Sequence, residues 1–205
     1  MFTLRSSEKK FGPTYVLIII NSVVYAGTAI LSMNPLIIND RILALLGQWN
    51  VRVLSDGWYW QLFTSLFIHA NLLHILGNMF FLLIYGVRAE DLFSDWQYLA
   101  IYFASGLAGN FLSLLMGPDV VSVGASGAIF GIFGASVIYM RKSIGQSIAG
   151  ALIYALYLFM FNIGAGVNLL AHFGGLATGL LIGYSLAKRQ RQARQAYGYR
   201  YTVNW

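Results

Sequence analysis

The chain has 205 residues, 58% of them hydrophobic and only 10% charged, where a water-soluble domain is about a quarter charged. Cysteine is absent, which excludes disulfides, thiolate catalysis and cysteine-held metals. The net charge of +6 would suit nucleic acid in a soluble protein, but in a chain this apolar the basic residues report topology, and no nucleic-acid partner is expected.

A helix that crosses a bilayer needs about 20 predominantly apolar residues. Stretches free of Asp, Glu, Lys and Arg cover 11–39, 57–87, 96–118, 120–140 and 143–187. The first follows Lys9 and Lys10 and carries AGTA at 26–29, imitating a secretory signal peptide. It stays uncharged well beyond the about 7–15 residues of a signal core, so it reads as a first span. Residues 34–59 mix apolar residues with isolated charges and end in aromatics, as an external loop lying in the interface does. The last run accommodates two spans, with NIGAGVN at 162–168 supplying the turn. The sequence therefore predicts an all-α membrane protein in one domain over 1–205. It has a short N-terminal segment 1–12, six transmembrane helices between about 13 and 187, and a basic tail 188–205 that touches anionic lipid.

An even number of spans puts both termini on one side. That side holds Arg5, Lys9, Lys10, Arg88, Arg141, Lys142, Lys188, Arg189, Arg191, Arg194 and Arg200, eleven of the 13 basic residues, against Arg41 and Arg52. Lys and Arg favour the cytoplasmic side. Both termini are expected in the cytoplasm, and the protein in a plasma or inner cell membrane.

Polar groups inside spans are costly and mark candidate sites. His69, His74 and Asn78 fall in the second span, Ser126 in the fourth and His172 in the sixth. His74 and Asn78 are one turn apart on one helix face. Spans two, four and six all enter from outside, so these groups share the external half of the membrane. A serine nucleophile needs a base and donors for the developing oxyanion. His172 can be the base, and Asn78, His74 and the backbone N–H of Ser126 can be the donors. No carboxylate lies within a span to complete a triad. A G-x-S-x-G elbow is absent too, because Ala128 follows Gly127 and no strand is read ahead of the serine. Gly124, Gly127, Gly131, Gly175 and Gly179 are read as helix packing that brings spans four and six together. Ordinary alternatives stand beside each piece: a serine among glycines that only packs, a histidine that only donates between helices, a channel or transporter, or a three-histidine metal site lacking acidic partners. His69, nearest the water, reads as structural.

The segments GASGAIFG (124–131), HANLLHILGN (69–78) and AHFGGLATG (171–179) resemble, in order and in placement, the signatures of the rhomboid family of intramembrane serine proteases. The resemblance implies a six-helix rhomboid-like bundle in which Ser126 is the nucleophile and His172 the base of a Ser-His dyad. Asn78 and His74 then stabilise the oxyanion, and Phe130, four residues after the serine, stacks on the histidine. It implies transmembrane protein substrates reaching the site from the bilayer and cut near its external boundary, with no cofactor and no metal. Trp60 and Gln61 stand where many members have Trp-Arg, a structural position in the first loop. An inactive relative that binds membrane clients is the nearest alternative, although such relatives typically lose the serine or the histidine.

Overall fold

A computed structural model describes residues 11–150, 152–153 and 167–202, with side chains described as far as residue 193. The first helix, α1 (Pro13–Ser32), starts with proline at a position where its missing N–H costs nothing and ends on Met33 in a left-handed conformation, φ 50°. A cap follows: α2 (Asp40–Leu46), α3 (Asn50–Ser55) and α4 (Gln61–Thr64), with a 3₁₀ turn at Ser65–Phe67. Then come α5 (Leu72–Glu90), α6 (Asp95–Ser113), α7 (Ser126–Ser143) and α8 (Leu169–Thr202). Two short strands, β1 (Gln48–Trp49) and β2 (Val121–Ser122), pair antiparallel with Gln48 opposite Ser122. A strand therefore does precede the serine, contrary to expectation; two residues are too few to leave a period in the sequence.

Among the described residues, four helices are long and apolar enough to cross a membrane: Pro13–Ser32, Leu72–Glu90, Asp95–Met116 and Leu169–Ala193. The chain is thus a multi-pass helical membrane protein. The expected fourth span, α7, is different in kind. It is buried from Gly127 through Ser136, packed by α5, α6 and α8, and a helix sheathed by other helices has no need of a continuous apolar surface. Most of the expected fifth span and of the turn after it lies outside the described residues.

The second span begins later than its uncharged run. Residues 57–71 belong to the cap, and α5 starts only where Asn71 accepts a hydrogen bond from the N–H of His74 at 2.8 Å, an N-cap arrangement. His69 consequently precedes the helix. The cap is held by buried amides. Gln48 donates to Asn50 Oδ1 at 3.0 Å and to the Asn110 carbonyl at 2.9 Å, Asn50 donates to the carbonyls of Ser113 and Gly117, and Asn110 donates to the Leu62 carbonyl and Ser65 Oγ. These hydrogen bonds offset most of the cost of burying the amides.

Candidate active site

Ser126 is the first residue of α7, so its own N–H has no acceptor within the helix. The segment that delivers it descends from β2 through Gly124, whose φ of +117° favours glycine. A Cβ at Gly124 would meet His74 Nε2 at 2.8 Å; the missing side chain makes room for the imidazole. Gly124 therefore lies ahead of α7, outside the helix-packing set in which the sequence placed it.

His172 sits in the first turn of α8. Its Nε2 is 2.7 Å from Ser126 Oγ, within hydrogen-bond distance. The two helices come this close because neither interposes side chains. A Cβ on Gly175 would collide with the Gly127 carbonyl, one on Gly179 with the Gly131 carbonyl, and one on Gly127 would press on the Ala171 carbonyl at 3.2 Å. The other ring nitrogen of His172, Nδ1, is buried with no hydrogen-bond partner among the described residues. Phe130 lies against the imidazole instead, ring centroids 4.7 Å apart and planes inclined by 32°.

A cavity of about 830 Å³ opens over this pair and is lined by His74, Asn78, Ser126, Phe130 and His172. Asn78 is buried and donates one N–H of its amide to the His74 carbonyl at 2.9 Å, which leaves the second N–H for another acceptor. His74 borders the cavity, and the fully buried His69 meets it edge-on with ring centroids 5.1 Å apart. His69 does not line the cavity wall. Gln61 is fully buried in the cap. Its Oε1 accepts from the Trp49 N–H at 2.9 Å, and its Nε2 donates to the carbonyls of Ala44 and Leu45 at 2.8 and 3.1 Å. The guanidinium nearby is that of Arg52, over the rings of Trp49 and Trp58 and paired with Asp56.

Beside the histidines, Ser126, Asn78 and Phe130, the sequence did not single out the amides Gln48, Asn50 and Asn110 that fasten the site's frame, and Asn168 entered only as part of a turn. Their signal was available: four carboxamides in or beside apolar stretches must each find partners.

Residues 56–189 match the family described as the Rhomboid domain. The chain is 36% identical over 141 residues to RHOMBOID-like protein 6, mitochondrial, of Arabidopsis thaliana, covering 66% of this chain and 46% of that one. It is 34% identical over 152 residues to Rhomboid-like protease 3 of Toxoplasma gondii, covering 70% and 58%. RHOMBOID-like protein 5 of Arabidopsis thaliana is 34% identical over 162 residues, covering 75% and 51%. The matched stretch spans about half the length of these relatives.

Proposed function

Because the chain belongs to the rhomboid family, we propose that it is an intramembrane serine endopeptidase that cuts transmembrane segments of other membrane proteins near the external boundary of the bilayer. The observation that carries this reading is the 2.7 Å approach of Ser126 Oγ to His172 Nε2 within a cavity large enough for an unwound stretch of peptide. A transmembrane helix hides its carbonyls in its own hydrogen bonds, so a substrate must open locally before attack.

Ser126 Oγ attacks the carbonyl carbon as His172 Nε2 takes its proton. The oxyanion that forms is held by the Ser126 N–H, the spare N–H of Asn78 and His74. The histidinium then protonates the leaving amine, and water hydrolyses the acyl-enzyme by the same path in reverse. Phe130 holds the imidazole in place of an acid. The proposed setting is a plasma or inner membrane with the site toward the outside and both termini in the cytoplasm.

Protein reconstituted with a transmembrane reporter substrate is expected to cleave it. Ser126→Ala and His172→Ala each remove cleavage by about a thousandfold or more and leave the melting temperature in detergent near that of the parent. Cleavage that survives Ser126→Ala removes the serine from the reaction. A parent protein that binds the reporter and never cuts it makes this a client-binding relative.

A further inference from the structure

The carboxamide of Asn168 lies where three segments that build the site meet. Asn168 immediately precedes α8. Its Oδ1 accepts from the Ala171 N–H at 2.9 Å, and its carbonyl accepts from the His172 N–H at 3.1 Å, so it caps the turn that bears His172. Its Nδ2 has two hydrogens and donates to both Ser113 Oγ and Ser122 Oγ, each at 2.5 Å. The two hydroxyls are hydrogen-bonded to one another at 2.8 Å, and both serines are buried. The Ala171 N–H fixes the orientation of the amide: only the oxygen can accept from it, which leaves the NH₂ group to fork onto the two hydroxyl oxygens.

Ser113 ends α6, and Ser122 is in β2, four residues ahead of Ser126. A short closed path results. It runs from Ser126 back along the chain to Ser122, across to Asn168, along the chain to His172, and through the 2.7 Å contact to Ser126 again. The glycine contacts between α7 and α8 set how far apart the helices stand, and further along Leu176 and Leu180 pack against Phe130 and Phe133. At the end where Ser126 and His172 meet, the fork from Asn168 adds a polar tie that fixes α8 to the segment leading into α7.

We propose that Asn168 is a positioning residue, which through Ser113 and Ser122 fixes the register of His172 against Ser126. This rests on the dyad assigned above. A misplacement of about 1 Å is enough to cost on the order of a hundredfold in rate.

The variant that separates positioning from helix capping is Asn168→Ser, since serine is an equally good N-cap but too short to reach both hydroxyls. The purified protein is labelled with a fluorophosphonate, and the maximal labelling rate per folded molecule is separated from half-saturation by the probe. The maximal rate is expected to fall about tenfold with half-saturation and melting temperature unchanged. In a Ser113→Ala, Ser122→Ala background the same substitution is expected to add nothing. Asn168→Ser labelled at the parent rate leaves Asn168 a cap only and overturns the proposal, as does a further tenfold loss in the double-alanine background. Labelling of Ser126→Ala at the parent rate defeats the dyad and this inference together. An unlabelled Ser126→Ala beside a fully active Asn168→Ser defeats this inference alone.

Discussion

His172 carries a buried Nδ1 without a hydrogen-bond partner among the described residues, where a triad would place a carboxylate. Packing must then do what a hydrogen bond does elsewhere, and the ring of Phe130 at 4.7 Å is the surface available. Aromatic contact of this kind is worth about 0.5–1.5 kcal/mol beyond burial, enough to bias a rotamer. Phe130→Ala is expected to lower turnover per folded molecule about tenfold, whereas Phe130→Tyr keeps the ring and most of the activity. Loss of the buried ring also costs about 3–5 kcal/mol of stability, so melting temperature and turnover are measured on the same preparations. Unchanged turnover per folded molecule in Phe130→Ala makes the ring ordinary core filling. At this scale the sequence was informative about the residues that differ chemically from lipid: one serine among glycines and three histidines stand out from an apolar chain. Asn168 did not, because a single asparagine beside glycines reads as a turn. Only the fold brings its amide to where three segments share it.

Among the helices, α7 and α8 are defined by what they lack. The Gly175 and Gly179 positions lie against carbonyls of α7, and Gly183 continues the series against the Ala135 carbonyl. Gly27 on α1 faces outward with nothing within 4 Å of a Cβ. The same substitution therefore has opposite signs at two sites. Gly179→Ala forces a methyl group onto a backbone oxygen that cannot turn away, and overpacking of this kind costs about 1–3 kcal/mol or more. Gly27→Ala meets no obstacle and gains about 0.5–1 kcal/mol of helix preference. Thermal unfolding in detergent is expected to drop for the first and hold or rise for the second; equal melting temperatures end the close-approach argument. The glycine spacing made this contact legible from sequence. The start of α5 was not, since residues 57–71 lack charge and the polar groups among them, such as Gln61 and Ser65, are spent on internal hydrogen bonds. Gaps between charges locate apolar solvent, not helix ends.

Across the whole molecule, the helix ends sort the two faces. The Thr14 N–H at the start of α1 is bonded to Glu90 at the end of α5, 2.8 Å, and Lys142 at the end of α7 lies 4.9 Å from the ring of Tyr184 on α8. One face thus gathers Lys142 with Lys188, Arg189 and Arg191, while the cap with Trp58, Tyr59 and Trp60 lies at the other. The 34 residues of α8 run about 50 Å, longer than the roughly 30 Å of hydrocarbon, so its last turns project from the membrane on the basic face. Because the chain has no cysteine, single introduced thiols report position without background. Tyr59→Cys, exposed in the cap, and Gln192→Cys, exposed on α8, each leave every basic residue in place. In intact cells a membrane-impermeant maleimide is expected to label the first and spare the second, and permeabilisation is expected to expose both. Labelling of Gln192→Cys alone from outside would invert the protein and carry the Ser126 cavity to the cytoplasmic face, against the bias of basic residues. Labelling of both in intact cells would mean that α8 does not separate the cap from its own basic end.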